Sequence, residues 1–126
     1  MSQQPKIKAT EAELEILNIL WSDGPATVRH VHDKLALTKD AGYTTTLKQL
    51  QVMLEKGLVS RQATGKSHIY TAVPNRQQAQ GQIVQRMIDA VFEGSAMKLV
   101  MQALGNHKPS KEELEMIQQY LEQKKK

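Results

Sequence analysis

Hydroxyl, amide and cationic side chains are concentrated near the middle of the chain, in a segment that carries Tyr43, Thr44, Thr45, Thr46, Lys48 and Gln49. A glutamine side chain can pair with adenine through two hydrogen bonds, and a threonine side chain can contact a thymine methyl group or a phosphate. Short polar side chains in the first turn of a helix also lie near its positively polarised end. On a helix, this set has the chemistry needed to enter the major groove of DNA.

The apolar residues of this segment predict such a helix, from about residue 43 to residue 56, and Gly57 stands where a helix commonly ends. At about 100° per residue, one stripe of the helix consists of Leu47, Leu50 and Leu54. The opposite side carries Thr45, Lys48, Gln49 and Val52. A solvated helix face is the alternative interpretation of these polar residues.

A second group of cationic and hydrogen-bonding side chains surrounds Gly65 and consists of Arg61, Lys66 and His68. Segments 58–62 and 67–73 read as strands, segment 63–66 reads as the turn between them, and Pro74 stops the second strand. A basic hairpin can reach phosphates that flank a major-groove site, or a minor groove. An ordinary surface turn is again the alternative.

Charge is distributed unevenly along the chain. The 126 residues include 17 Lys and Arg against 13 Asp and Glu, for a net charge of +4. Residues 1–40 carry a net charge of −1, residues 41–75 carry +3 and residues 76–126 carry +2. The least compensated positive charge therefore coincides with the predicted helix and hairpin, which favours a polyanionic partner.

Two helices are predicted to precede and support this segment. Thr10 and Glu13 have the spacing of a capping box, and the helix that follows reaches the Asp-Gly-Pro sequence at 23–25. Thr27 can cap a second helix, whose apolar face comprises Val28, Val31 and Leu35. The polar segment 37–42 then connects this helix to the third one.

Only helical signals follow residue 75. One apolar stripe extends over 83–92, a shorter helix over about 97–104 is expected to end at Gly105, and Ser110 and Glu113 form a second capping box. Three short helices cannot easily bury such apolar faces by themselves. We therefore expect a two-fold interface with a second copy, formed by Ile83, Met87, Val91, Leu99, Val100, Leu104, Leu114, Ile117 and Leu121. Packing against the N-terminal half is the alternative.

The predicted fold is mainly α: a winged helix-turn-helix domain over residues 1–75, with a wing of two strands, and a three-helix dimerisation domain over residues 76–126. Two identical DNA-binding domains about one turn of the DNA helix apart would match a palindromic DNA site.

Other classes of function find little support in the composition. The chain has no cysteine, which excludes disulfides, thiolate metal sites and a cysteine nucleophile. No metal or cofactor site is expected, because His30 and His32 lie on different sides of their helix and His68 and His107 are isolated. No serine has a nucleophile signature, so no enzyme is expected. Without a long apolar run or a signal-like N-terminus, the expected location is the cytoplasm.

The sequence also resembles the BlaI/MecI family of penicillinase repressors. The resemblance lies in segments 12–21 (AELEILNILW), 43–47 (YTTTL), 54–59 (LEKGLV) and 92–95 (FEGS), followed by Leu99-Val100. It implies a homodimeric winged-helix repressor that binds dyad-symmetric operators, often with TACA/TGTA-like half-sites. It also implies control of resistance genes and of a companion BlaR-type membrane sensor peptidase.

Two departures from the family are visible. In the penicillinase repressors, induction cuts an Asn-Phe bond in the short helix of the dimerisation domain, and Gln102-Ala103 stands at the matching place here. The related CopY copper repressors end in a Cys-x-Cys motif, which a chain without cysteine lacks. Copper sensing by that route is therefore excluded.

The sequence thus predicts a homodimeric transcriptional repressor that contacts DNA through its third helix and wing. The other class considered is a winged-helix module that binds a protein. Such a module would more often carry apolar or acidic residues on its third helix and wing, where this chain carries basic ones.

Overall fold

The computed structural model describes residues 8–126, and within them six helices and one antiparallel pair of strands. In chain order the elements are α1 (Glu11–Asp23), α2 (Val28–Leu35), α3 (Tyr43–Glu55), β1 (Val59–Thr64), β2 (Ser67–Ala72), α4 (Arg76–Ala90), α5 (Ala96–Asn106) and α6 (Lys111–Lys124). The predicted order of three helices, a hairpin and three helices is confirmed, as is the mainly α winged helix-turn-helix class.

Side-chain caps define where the first two helices begin. The Thr10 hydroxyl accepts a hydrogen bond from the Glu13 backbone N–H at 3.2 Å, and the Thr10 backbone N–H donates to Glu13 Oε1 at 2.9 Å. This is the predicted capping box, which satisfies two backbone donors that the helix itself cannot. The Thr27 hydroxyl caps α2 in the same way, by accepting from the His30 backbone N–H at 3.1 Å.

The end of α3 is a Schellman motif. Gly57 has a φ of +78°, its N–H donates to the Leu54 carbonyl at 3.1 Å, and the Leu58 N–H donates to the Met53 carbonyl at 2.9 Å. The motif turns the chain from α3 into β1, and its residues Leu58 and Met53 are both buried. The prediction that this helix ends at Gly57 is confirmed.

The turn of the hairpin is tighter than predicted, because β1 continues to Thr64, which pairs with Ser67. Only Gly65 and Lys66 remain in the turn, and the φ of +62° at Gly65 suits the first central position of a type II′ turn. The Ala26 and Tyr70 backbones exchange hydrogen bonds of 2.9 and 2.8 Å. The wing is therefore tied to the chain that leads into α2.

The N-terminal core is built from α1, α2, α3 and the base of the hairpin. Its most deeply buried residues are Ile16, Leu17, Val31, Thr46, Leu50, Met53, Val59 and Tyr70. Of the predicted α3 stripe, Leu50 is buried, while Leu47 and Leu54 pack half-buried against the core. Thr46 and Met53 occupy the remaining inner positions of the helix.

Two compact units are present, with the boundary inside α4 between Ile83 and Val84. In the first unit, the Trp21 indole N–H donates to the Pro74 carbonyl at 2.8 Å, and the Arg76 guanidinium donates to the Ser22 hydroxyl at 2.9 Å. These bonds fasten the start of α4 to the end of α1.

In the second unit, the capping box of α6 is confirmed by reciprocal bonds of 3.1 Å between Ser110 and Glu113. The expectation that α5 ends at Gly105 is wrong, because the helix continues to Asn106. Gly105 does not adopt a positive φ. A glycine without that conformation weakens a helix but does not stop it. Between residues 84 and 126, no residue is buried.

Candidate nucleic-acid interface

The outer face of α3 carries most of the polar residues that the sequence singles out. Tyr43, Thr44, Thr45 and Lys48 are exposed, and Gln49 is half-buried. Gly42 is the N-cap residue that precedes the helix, and no side chain caps it. Its first-turn N–H groups are therefore available to an anion or a base edge.

Thr46 is placed differently from its neighbours. It is fully buried, and its hydroxyl donates a hydrogen bond to the Gly42 carbonyl at 3.2 Å. A buried hydroxyl with a backbone partner cannot contact DNA without unfolding the first turn of α3. We therefore leave Thr46 out of the candidate interface, although the sequence alone grouped it with Thr44 and Thr45.

The wing presents Arg61, Lys66 and His68, all of them exposed. Arg61 is paired with Tyr70 and Ala63 with His68, so the register places Arg61 and His68 on one face of the hairpin. Arg61 Nη1 lies 3.5 Å from the Tyr70 hydroxyl. That contact holds the guanidinium close to the surface of the first unit.

A cleft of about 300 Å³ lies between the start of α2, the face of α3 and the wing. It brings together four of the predicted residues, Tyr43, Arg61, Lys66 and His68, and adds two that the sequence reasoning missed, Arg29 and Gln51. Thr44, Thr45, Lys48 and Gln49 lie on α3 outside the cleft lining. The candidate interface thus consists of one helix face and one basic cleft.

Arg29 is the main residue that the sequence did not reveal. Its guanidinium carbon lies 4.9 Å from the centre of the Tyr43 ring, within the range of a cation–π contact. The ring of His32 meets the same tyrosine edge-on, with 5.7 Å between centroids. Nothing in the local pattern of α2 distinguishes Arg29 from a solvated cation, since its role depends on how α2 crosses α3.

The cations of this surface lack carboxylate partners in the part of the chain that the structure describes. Among residues 8–126, neither Arg29, Lys48, Arg61 nor Lys66 forms an ion pair with a carboxylate. Lys56, which contributes to the charge excess of the middle third, is instead bound to Glu13 at 2.8 Å. Burial alone would raise the pKa of the Glu13 carboxyl, but the hydrogen bonds from Lys56 and Thr10 outweigh it and hold that pKa below 4.5.

The histidines have separate surroundings. His30 hydrogen-bonds to Asp23 at 2.7 Å, a contact that lowers the pKa of the Asp23 carboxyl, and His107 lies 3.8 Å from Glu113. Within residues 8–126 no group of three or more His, Asp or Glu side chains is arranged to hold a metal ion. In the same range no helix is long and apolar enough to cross a membrane.

The residues predicted to form a dimer interface are accessible to different degrees. Met87, Val91, Val100, Leu114 and Leu121 are exposed, and Ile83, Leu99, Leu104 and Ile117 are half-buried. The second unit exposes further apolar side chains outside this predicted set, among them Met97, Met101, Met116 and Tyr120. Met97 is 70% exposed and Val91 is 67% exposed, which is high for apolar residues.

Three helices followed by a two-stranded wing, with a polar third helix beside a basic cleft, define a winged-helix protein. The model of the penicillinase repressor family matches residues 9–123, and the chain belongs to that family. The family recognised from the sequence motifs is therefore confirmed.

Individual relatives agree with this assignment. The chain is 33% identical over 84 residues to the transcriptional regulator BlaI of Mycobacterium tuberculosis, an alignment that covers 66% of this chain and 59% of that protein. It is 22% identical over 115 residues to the methicillin resistance regulatory protein MecI of Staphylococcus aureus, covering 91% and 94% of the two chains. It is 25% identical over 127 residues to the penicillinase repressor of Bacillus licheniformis, covering 99% and 96%.

A solved structure is similar in fold. The crystal structure of a transcriptional regulator from Thermotoga maritima matches with a TM-score of 0.54 and 15% identity, over 92% of this chain and 73% of that one. At this level of identity the comparison supports the winged-helix architecture alone.

Proposed function

We propose that the protein is a cytoplasmic, homodimeric transcriptional repressor that occupies a dyad-symmetric operator and thereby blocks a promoter. The observation that carries the proposal is a set of exposed cations, Lys48 on α3 and Arg61 and Lys66 on the wing, beside exposed threonines. None of these cations has a carboxylate partner within residues 8–126. Phosphate contacts would position the protein, and Thr44, Thr45 and Gln49 would reach base edges in the major groove.

The two proposed activities belong to successive parts of the chain. Residues 1–75 would bind DNA and residues 76–126 would dimerise, although the boundary between the two compact units lies after residue 75, inside α4. The absence of any buried residue between 84 and 126 supports an interface there, because apolar helices of this kind are stable only when something covers them. A second copy of the chain is the simplest partner for these apolar helices, and the two-fold axis of the resulting homodimer would match a palindromic operator.

The DNA-binding proposal is tested by titrating the protein with the DNA upstream of its own gene, in fluorescence anisotropy at several salt concentrations. We expect specific binding whose affinity falls steeply as salt rises. Lys48→Ala and Arg61→Ala should each weaken binding and reduce that salt slope. Wild-type protein that does not distinguish this DNA from a scrambled duplex would refute the proposal.

Dimerisation is tested by light scattering at micromolar concentration. The expected mass is twice the chain mass of 14.2 kDa. A monomer under these conditions would refute the homodimer while leaving the DNA-binding test intact.

The proposed regulatory partner is a BlaR-type membrane sensor peptidase encoded beside this gene, and the controlled genes would serve resistance or stress responses. Gln102-Ala103, which matches the family's cleavage position, lies within α5, so that helix must open locally before a protease can cut the bond. Mass spectrometry of the protein from β-lactam-treated cells should show a fragment that begins at Ala103. An intact chain in induced cells would remove proteolysis from the proposal.

A protein-binding winged helix is the other class of function considered, and enzymatic activity is not part of either proposal. The basic cleft favours DNA over a protein partner, since a docking surface for protein would be expected to carry fewer unneutralised cations. The relatives named as a transcriptional regulator and as a penicillinase repressor point the same way.

A further inference from the structure

Arg29 occupies a position that joins α2 to both halves of the proposed interface. It is exposed in the first turn of α2, its guanidinium lies 4.9 Å from the centre of the Tyr43 ring, and it lines the same cleft as Arg61. Tyr43 is in turn the first residue of α3. One side chain therefore contacts the start of the proposed recognition helix and faces the wing across the cleft.

The cleft concentrates groups that bind anions. Arg29, Arg61 and Lys66 bring three cations to its lining, and none of them forms an ion pair within residues 8–126. Thr27 and Val28 place the N-terminus of α2 against the same space. Like charges that line one cleft repel one another, and no carboxylate stands among the lining residues, so an anion that enters the cleft would stabilise the arrangement.

The Tyr43 ring restrains the Arg29 side chain, which favours the binding of an anion. Stacking over Tyr43 restricts the guanidinium, so less conformational entropy is lost when Arg29 binds a ligand. Arginine also presents several N–H donors in a plane that matches phosphate oxygens. A lysine at this position would keep the charge but lose both advantages.

We propose that the cleft between the start of α2 and the wing binds a phosphate group of the DNA backbone, held by Arg29 on one side and Arg61 on the other. This inference rests on the proposed function and extends it, because it adds a contact from α2 to those from α3 and the wing. Fixing the DNA backbone beside the first residue of α3 would set the depth and register at which α3 enters the major groove.

The test measures the affinity of the full-length chain for the upstream duplex between about 50 and 200 mM salt, the range over which phosphate contacts dominate the change. Arg29→Ala should make the salt slope shallower by about 0.9 for each bound chain and weaken binding about eightfold per chain at 0.1 M salt. Arg29→Lys should retain the slope but bind more weakly than wild type. Arg86→Ala, at an exposed arginine of α4, is the matched control and should leave both quantities unchanged.

The stacking contact has a separate readout. If Tyr43 holds Arg29 in place, Arg29→Ala should cost less affinity in a Tyr43→Ala background than in the wild type. Losses that simply add would overturn this part of the proposal. Circular dichroism checks that the variants fold, as expected for substitutions at exposed positions.

The outcomes separate this inference from the proposed function. If wild type binds the duplex specifically and Arg61→Ala reduces the salt slope while Arg29→Ala does not, the α2 contact is wrong and the repressor proposal stands. If wild type does not bind specifically, the repressor proposal itself fails, and the α2 contact with it. A titration with inorganic phosphate distinguishes the two sources of the anion: saturable binding at Arg29, together with unchanged DNA affinity in Arg29→Ala, would indicate a site for free phosphate.

Discussion

Lys56, at the end of α3, donates hydrogen bonds of 2.8 and 3.0 Å to the two carboxylate oxygens of Glu13, which lies 43 residues earlier in the chain. Glu13 is almost fully buried, and it also accepts a hydrogen bond from the Thr10 backbone N–H. One carboxylate therefore caps the start of α1 and holds the end of α3. Because α3 carries most of the candidate interface, this pair helps to fix the orientation of that surface.

Removing the cation of this pair should destabilise the first unit. Lys56→Met leaves the Glu13 carboxylate buried without its counter-charge, and we expect a loss of about 1–3 kcal/mol in the free energy of unfolding. Urea unfolding followed by the fluorescence of Trp21, the single tryptophan of the chain, reports on this unit. Protein concentration must be constant, because dimerisation would shift apparent stability.

Lys39→Met is the matched control, because Lys39 pairs with Glu15 at 3.1 Å on the surface. Such exposed pairs contribute about 0–1 kcal/mol. The double variant Glu13→Gln/Lys56→Met should be more stable than Lys56→Met alone, since the amide can remain buried without a charge. A double variant less stable than Lys56→Met would contradict the view that an unpaired carboxylate causes the loss.

Acid should weaken the same unit through Glu13. Because the pKa of Glu13 is held below 4.5 in the folded protein, the unfolded chain binds this proton more tightly than the folded one. The stabilisation is therefore complete above about pH 5 and is lost as pH falls through the folded pKa. The urea midpoint should decrease less on acidification in Glu13→Gln than in wild type.

Glu15→Gln supplies the control for this pH series, as it removes the same charge from an exposed position on the same helix. Asp23, whose pKa is also lowered by its hydrogen bond with His30, is present in every variant and cancels from the comparison. Parallel acid profiles for wild type and Glu13→Gln would show that another group dominates the loss.

The extent to which the fold could be predicted depends on whether a signal is local. Thr10, Thr27 and Ser110 cap helices within three residues of themselves, and those helix starts are visible in the sequence. Gly57 ends α3 because its backbone adopts a positive φ, whereas Gly105 does not and lies inside α5. Both glycines look alike in the sequence, because residue type alone does not fix the backbone conformation.

The candidate site shows the same division between local and long-range information. Helical periodicity identifies Thr45 and Lys48 as outward-facing. Grouping the three threonines of the first turn by residue type misplaces Thr46, which is fully buried beside Leu50 and Met53 on α3. The charge count of the middle third includes Lys56, although its charge is paired with Glu13, 43 residues earlier in the chain. The same count omits Arg29, which reaches the interface only because α2 crosses α3. Contacts between distant elements are the part that the sequence pattern could not supply.

The difference between glycines of opposite backbone conformation is directly measurable in the first unit. At Gly57, with a φ of +78°, alanine should cost about 1–2 kcal/mol, because its Cβ disfavours the left-handed region. At Gly81, inside α4, a Cβ would meet no atom within 4 Å, and alanine should stabilise the helix by about 0.5–1 kcal/mol. Thermal unfolding by circular dichroism should therefore move in opposite directions for the two variants, and shifts of the same sign would contradict this assignment.

A charge on the proposed dimer face should weaken association without unfolding the chain. Val91 is 67% exposed in the single chain and belongs to the set expected to face a second copy. In Val91→Asp a carboxylate would have to lose water in an apolar interface, and we expect the dissociation constant to rise roughly tenfold or more, for a cost above about 1.4 kcal/mol. Light scattering over a dilution series measures this shift toward the monomer mass.

Leu37→Asp is the matched control for that experiment. Leu37 is an equally apolar side chain with 77% exposure, and it lies between α2 and α3 rather than in the second unit. The substitution introduces the same charge, so a change in net charge alone would affect both variants equally. We expect Leu37→Asp to keep the wild-type mass at every dilution. Equal dissociation of both variants would point to general electrostatic repulsion, and an unchanged mass in Val91→Asp would place the interface elsewhere than at this residue.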